Sequence, residues 1–100
     1  MPREKSNFGP EYAIFLATLR RLREASGRTQ TDVANFLKRD QSVVSKCERG
    51  ERRIDVIELR DYCVAIGIKL GSFIDVLETD IAAATSAKAS QRALRRNSRK

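Results

Sequence analysis

The chain has 100 residues, of which 41% are hydrophobic, six are aromatic and none is Trp, and this length suits one domain with a modest, mainly aliphatic core. It carries 20 Lys and Arg against 13 Asp and Glu, a net charge of +7, which points to a polyanionic partner such as nucleic acid or an acidic membrane surface. No apolar run approaches the roughly 18 residues of a membrane span, and the first residues lack a signal-peptide pattern, so we expect a soluble cytoplasmic protein without a membrane anchor.

The cysteine and histidine content limits metal and redox chemistry. The chain has two cysteines, Cys47 and Cys63, and no His. Two thiols alone do not form a tetrahedral zinc site, which usually takes four N or S ligands. Each cysteine falls among apolar neighbours at helical spacing, so we expect two small core residues in a reducing compartment, and neither a metal nor another cofactor.

The first predicted helix spans about 11–26. Residues 1–10 are a polar lead-in that we expect to be flexible, and Pro10 is tolerated at the start of a helix. Apolar residues then recur at three- and four-residue steps until Gly27 stops the helix. This stripe consists of Tyr12, Phe15, Leu16, Leu19 and Leu22. Three arginines lie off it, and we expect them to be solvated or paired within the molecule: Arg20, Arg21 and Arg23.

Two short helices follow. Thr29 caps the second helix and forms a capping-box-like pair with Asp32, and the buried face comprises Val33, Ala34 and Leu37. Residues 38–40 form the break, and Asp40 is placed to cap a third helix that begins at Gln41 and ends at Gly50. In that helix Val44 and Cys47 point inward, which leaves the other faces available.

The last two predicted helices span about 56–66 and 70–79. Asp55 caps the fourth helix and Gly67 stops it, while Phe73, Ile74 and Leu77 form the buried face of the fifth. Residues 80–100 form an Ala-rich tail, and its last 20 residues hold six basic residues and no acid. We expect this tail to be a frayed helical extension or disordered, with residues 11–79 as the domain. The predicted fold class is all-α with five helices.

The chain resembles the Cro and phage-repressor, or XRE, family of helix-turn-helix DNA-binding domains over roughly residues 13–78. Thr29-Gln30 with Asp32-Val33-Ala34 resembles the opening of the family's second helix. Residues 41–50 resemble its recognition helix with the Glu-Arg-Gly ending, and residues 59–68 resemble its fourth helix and the following turn. The resemblance implies a lambda-repressor-like fold of five helices.

The resemblance also assigns DNA contacts. It implies that Gln41, Ser42 and Lys46 face the bases, where Gln can bond bidentately to adenine and Lys can donate to guanine. It implies that Gln30 clamps a phosphate at the amino end of the second helix, helped by the helix dipole. Further phosphate contacts are expected from residues within the recognition helix and on either side of it: Lys38, Ser45, Arg49, Arg52 and Arg53.

Two positions depart from the family pattern. Lys38 stands in the turn where relatives often have Gly, and a left-handed backbone there would cost on the order of 1 kcal/mol. Asp40 stands where Ser or Thr is common, and its charge would sit near a phosphate, which argues for a slightly turned docking or an intervening water. Both departures bear on the base contacts rather than on the motif.

Several residues have structural interpretations beside functional ones. Glu48 is expected to pair with an Arg of the first or second helix and so orient the recognition helix. Phe36 and Ile14 leave their helices' main stripes, which fits either a partner surface or burial at the fringe of the core. Ile74 and Val76 lie on different faces of the fifth helix and mark a candidate self-association patch.

The leading hypothesis is a sequence-specific transcriptional regulator of double-stranded DNA, a repressor more often than an activator, acting as a homodimer on an inverted repeat. The alternative is a DNA-binding antitoxin whose basic tail also binds a protein toxin. A controller protein of a restriction–modification system is a variant of the first hypothesis. We do not expect an enzyme, because there is no His, no metal-ligand cluster and no phosphate-cradling glycine loop.

Overall fold

The computed structural model describes the backbone of residues 9–97 and the side chains of residues 9–86. This part of the chain is all-α, as predicted. Its helices are α1 (Pro10–Ala25), α2 (Gln30–Leu37), α3 (Gln41–Glu48), α4 (Val56–Ile66) and α5 (Leu70–Asn97). Most of the lead-in expected at residues 1–10, and the last three residues of the tail, lie outside the described residues.

The helix boundaries follow local signals. Thr29 and Asp32 form a capping box at the start of α2, in which the Asp32 N–H donates to Thr29 Oγ1 at 3.0 Å and the Thr29 N–H donates to Asp32 Oδ2 at 2.9 Å. Asp55 and Glu58 form the same arrangement at the start of α4, which ends at Gly67 in the left-handed region. These boxes satisfy N–H groups that the first turn of a helix leaves without an intrahelical partner.

One predicted cap is wrong. Asp40 occupies the N-cap position of α3 with an extended backbone, but its side chain makes no capping hydrogen bond. The first turn of α3 is closed instead by the backbone, since the Asp40 carbonyl accepts from the Val43 N–H at 3.0 Å. The amino end of α3 therefore depends on its neighbours for its orientation.

The core lies where α1, α4 and α5 meet the pair formed by α2 and α3. Phe15 of α1 contacts Phe73 of α5 edge to face, with ring centroids 5.8 Å apart, and Phe73 is fully buried. The remaining core is mainly aliphatic and includes both cysteines, which are buried free thiols as predicted. Its members are Leu16, Leu19, Val33, Ala34, Val44, Cys47, Leu59, Tyr62, Cys63, Ala65 and Ile66.

Helix α5 continues to Asn97, well past the end near 79 that the apolar stripe predicts. Asp80 contributes to this continuation, because its carboxylate accepts from the buried Thr18 hydroxyl at 2.6 Å and from Arg21 at 3.0 Å. The following Ala-rich sequence has high intrinsic helix propensity. Within the described residues, no helix is long and apolar enough to cross a membrane.

Candidate nucleic-acid interface

The turn between α2 and α3 sets the angle at which α3 leaves the domain. Lys38 ends α2 with φ 59° and ψ 47°, so it adopts the left-handed conformation that the family's usual Gly would adopt without strain. The turn is closed by the Arg39 N–H, which donates to the Ala34 carbonyl at 2.9 Å. A β-carbon in this conformation costs on the order of 1 kcal/mol. The Lys38 side chain is exposed.

Helix α3 presents one buried and one open face. Val44 and Cys47 are only 2% and 6% exposed and pack inward. Gln41, Ser42 and Lys46, the three residues expected to face bases, are all exposed. Ser45 is half-buried beside them. The structure therefore brings the three candidate base contacts together on the accessible side of one helix.

A buried ion pair fixes the other end of α3 to the domain. The Glu48 side chain is 3% exposed and that of Arg23 is 9% exposed. Arg23 Nε donates to Glu48 Oε2 at 2.7 Å and Nη2 donates to Oε1 at 3.0 Å, while the Tyr62 hydroxyl of α4 also donates to Oε2. This confirms the predicted pairing of Glu48 with an Arg of the first helix, and it adds Tyr62, which the sequence did not indicate.

The electrostatics of this cluster favour its charged form. Burial opposes the ionisation of Glu48, but the hydrogen bonds from Arg23, Tyr62 and Gln30 outweigh it, so the Glu48 pKa lies below its ordinary value. Burial and the neighbouring Glu48 carboxylate raise the pKa of the Tyr62 hydroxyl. The carboxylate thus stays ionised and Tyr62 remains a hydrogen-bond donor at neutral pH.

Gln30 connects the buried cluster to the open face of α3. Its Nε2 donates to Glu48 Oε1 at 3.0 Å, and its Oε1 accepts from Gln41 Nε2 at 2.7 Å. The expected phosphate contact and the expected base contact are therefore joined by a hydrogen bond. These partners are 18 and 11 positions apart, so their contact depends on how α2 packs against α3, which no local sequence signal reveals.

The three arginines at and after the end of α3 each have a partner within the molecule. Arg49 forms a bidentate pair with Glu51 at 2.9 and 3.1 Å and also donates to Ser45. The guanidinium of Arg53 lies over the Tyr12 ring, 5.2 Å from its centroid, an arrangement that permits a cation–π interaction. Through Ser45, Arg49 contacts a residue beside the open face of α3.

Arg52 turns toward α4 rather than toward α3's open face. Its Nη2 donates to Glu58 Oε2 at 2.9 Å, its Nη1 donates to Glu58 Oε1 at 3.3 Å, and Nη1 also lies 3.5 Å from Cys47 Sγ. Arg39, in the turn before α3, approaches the same carboxylate, with its Nη2 3.5 Å from Glu58 Oε2. Arg39 and Glu58 thus lie beside the candidate interface, and no pattern in the sequence indicates their contact.

Two further groups of residues noted in the sequence are the arginines of α1 and the apolar residues considered for partner or self-association surfaces. The α1 arginines have intramolecular partners as expected: Arg20 pairs with Glu24 at 3.1 Å, and Arg21 with Asp80. Among the apolar residues, Phe36 is 54% exposed and Ile14 is half-buried. On α5, Ile74 is 37% exposed and Val76 is half-buried. Among the described residues no group of His, Cys, Asp or Glu could hold a metal ion.

Comparison with known proteins places this geometry in a family context. A family model described as a helix-turn-helix domain matches residues 14–71. A solved XRE-family-like protein from Pseudomonas syringae pv. tomato strain DC3000 is 43% identical over 69% of this chain and 84% of its own, with a TM-score of 0.66. No match was found among curated proteins.

More distant structures share the fold. A point mutant of the restriction-modification controller protein C.Esp1396I is 21% identical, with a TM-score of 0.68 over 72% of this chain and 96% of its own. The tetramer of that controller protein in complex with its natural 35 base-pair operator is 20% identical, with a TM-score of 0.68 over 74% of this chain and 97% of its own. At this level of identity the likeness concerns the fold alone.

Proposed function

The chain belongs to the XRE-like family of helix-turn-helix DNA-binding regulators, and from that premise we propose that it is a sequence-specific transcriptional repressor that binds double-stranded DNA as a homodimer on an inverted repeat. The observation that carries this proposal is the exposed face of α3, which presents Gln41, Ser42 and Lys46. The buried Arg23–Glu48 ion pair attaches this helix to the rest of the domain. Amide, hydroxyl and ammonium groups are suited to base edges in the major groove, and each good bidentate pair contributes about 1–3 kcal/mol of discrimination.

The rigidity of the scaffold supports base reading rather than general attraction to DNA. The Arg23–Glu48 pair ties α3 to α1, Tyr62 ties it to α4, and Gln30 ties it to α2. A recognition helix must hold its side chains in a fixed position relative to the bases, because hydrogen-bond readout depends on geometry. Three independent attachments to one carboxylate meet that requirement.

Phosphate contacts would come from the rim of the same surface. We assign them to Gln30 at the amino end of α2, where the helix dipole favours an anion, and to the exposed ammonium of Lys38. The others are Ser45, Arg49, Arg52 and Arg53. Each of these arginines would contact phosphate from within an intramolecular contact: Arg49 with Glu51, Arg52 with Glu58, and Arg53 with the Tyr12 ring.

A homodimer would place two copies of α3 about 34 Å apart, in successive major grooves on one side of the duplex. The exposed Ile74 of α5 is a candidate for the self-association surface. The controller protein that shares this fold is a tetramer on its operator, and this supports the proposal that several copies bind one DNA.

Selection of bound duplexes from a random pool tests the proposal. We expect a palindromic consensus whose half-sites are centred about one helical turn, or 10 base pairs, apart. Recovery of an unpaired single site would overturn the homodimer on an inverted repeat. Recovery of a pool with no enriched sequence at moderate ionic strength would overturn sequence-specific binding altogether.

Repression is tested separately with a promoter that carries the selected sequence. Transcription from that promoter should fall when the protein is added in vitro, and a promoter with a scrambled site should be unaffected. An increase in transcription at the intact site would instead identify an activator.

A further inference from the structure

Glu58 of α4 connects the two segments that flank the recognition helix. One side is the turn between α2 and α3, which contains Arg39, and the other is the loop after α3, which contains Arg52. Glu58 Oε2 accepts a hydrogen bond from Arg52 Nη2 at 2.9 Å and lies 3.5 Å from Arg39 Nη2. One carboxylate therefore pairs with an arginine on each side of the eight-residue α3.

The contacts of Glu58 with Arg39 and Arg52 matter because α3 lacks a side-chain cap at its amino end. Asp40 makes no side-chain capping bond, so the amino end of α3 is held by backbone hydrogen bonds of the turn and by the Gln30–Gln41 hydrogen bond. The carboxyl end is fixed by Glu48, and Arg52 reaches back to Cys47 Sγ at 3.5 Å on the buried side of the helix. The contact between Glu58 of α4 and Arg39 therefore adds an attachment to the end of α3 that carries Gln41 and lacks a side-chain cap.

Glu58 is itself held in place. The Asp55 N–H donates to Glu58 Oε1 at 3.2 Å, and the Glu58 N–H donates to Asp55 Oδ1 at 2.8 Å, so the residue belongs to the capping box of α4. Its side chain is 28% exposed. The carboxylate is thus attached to a capped helix start, which allows it to position the longer arginine side chains.

The carboxylate also offsets two positive charges beside the candidate interface. Arg39 and Arg52 are 44% and 36% exposed, and both lie against the same anionic group. Without that anion, two guanidinium groups next to α3 would be released to bind any phosphate, and such contacts raise affinity for all DNA sequences alike.

We propose that Glu58 is a positioning residue for DNA recognition, which holds the turn and the loop around α3 in register and restrains Arg39 and Arg52, so that the phosphate contact assigned to Arg52 is made in the docked geometry and not with any DNA. This inference rests on the proposed DNA-binding function and adds to it a determinant of discrimination on a helix outside the recognition motif. Glu58 acts through the two arginines, without touching DNA.

The test compares Glu58→Gln with Glu58→Asp. Glu58→Gln removes the charge but keeps an oxygen that can accept the Asp55 N–H. Glu58→Asp keeps the charge and the capping box, since Asp32 plays the same part at the start of α2, but it shortens the reach to the two arginines. Glu78→Gln is the matched control, because it removes one exposed carboxylate from α5, which packs on α1 and α4.

Dissociation constants are measured in the full chain for the selected operator and for a scrambled duplex over a range of salt concentrations. The ratio of the dissociation constant for scrambled DNA to that for the operator measures discrimination. In both Glu58 variants this ratio should fall by about fivefold, which corresponds to the loss of one partly exposed ion pair. In Glu58→Gln the salt dependence for scrambled DNA should steepen by about one to two units, because the guanidinium groups of Arg39 and Arg52 are released. Glu78→Gln should keep the wild-type ratio.

Thermal unfolding shows whether each variant is folded. If Glu58→Gln is unfolded, the ratio measured for Glu58→Asp decides, and Arg39→Gln provides a second measurement because it removes the turn side of the link alone. A folded Glu58 variant with the wild-type ratio overturns this inference while the proposed function stands. A wild-type protein that binds operator and scrambled DNA equally overturns the proposed function itself.

Discussion

Replacement of Glu48 by Gln should destabilise the fold strongly, because it leaves the Arg23 guanidinium buried without its counter-charge. The two side chains are 3% and 9% exposed, so little solvent is available to compensate. Removing one partner from a buried ion pair costs about 3–5 kcal/mol. Gln keeps one acceptor for Tyr62, so we expect a loss near the lower limit, about 3 kcal/mol.

This loss is large relative to the whole stability of a small domain, which is roughly 5–15 kcal/mol. For a domain of this size it corresponds to a decrease in Tm of roughly 12–24 °C. The assay is thermal and urea unfolding followed by circular dichroism. Glu24→Gln is the control, because the Arg20–Glu24 pair is 65% and 55% exposed and its loss should cost less than about 0.5 kcal/mol.

A double variant separates stability from positioning. Arg23→Met with Glu48→Leu removes both charges and should recover part of the lost stability, since apolar residues often replace a buried ion pair without net cost. Gln30 would still lose its acceptor, so operator discrimination should remain reduced. A Glu48→Gln variant within about 1 kcal/mol of wild type would refute the reasoning that this pair is an isolated buried charge cluster.

Three further outcomes are expected. Lys38→Gly should raise the unfolding free energy by about 0.5–1 kcal/mol because it relieves the left-handed strain, whereas Lys38→Ala, which keeps the strain, should not; equal Tm values for the two would contradict this. Gln41→Ala should relax preference at one operator position, while Arg49→Ala should weaken all sequences alike and reduce the salt slope by about one unit; parallel losses in both would refute the division between base and phosphate contacts. Because the Glu48 pKa is depressed in the folded state, its stabilisation is present above the ordinary glutamate pKa of 4.5 and is lost as pH falls through the folded-state value, so acid titration of the unfolding free energy should be flatter in Glu48→Gln than in wild type.

The parts of the fold that sequence predicts well are those encoded by neighbouring residues. Asp55 and Gly67 delimit α4 at the predicted 56–66, because a cap and a left-handed glycine act on the backbone within one turn. The apolar stripe of α5 ends near 79 because such a stripe reports burial and not helicity, and the helix continues beyond it, one of the two alternatives expected for the tail. Its continuation past Asp80 follows from alanine propensity and from a contact with α1 that lies 62 positions away in the chain.

The candidate site divides in the same way. The exposure of Gln41 and Lys46 follows from helical periodicity once Val44 and Cys47 are taken as buried. The partner of Arg52 does not follow from any period, because it is set by the approach of α4 to the loop after α3. Asp40 illustrates the opposite error: a residue type favoured at the N-cap occupies that position without making the expected bond.

The hydrogen bond between Gln30 and Gln41 bears on the thermodynamics of complex formation. A glutamine free to rotate loses about 0.5–1.5 kcal/mol of rotamer entropy when a partner immobilises it. Here the amide of Gln41 is already oriented by a neighbour that is itself attached to a buried carboxylate. Much of that ordering takes place during folding, so a ligand that contacts the Gln41 amide would meet a preorganised group. Mutation of Gln30 would therefore weaken binding indirectly, because it would free the side chain of Gln41.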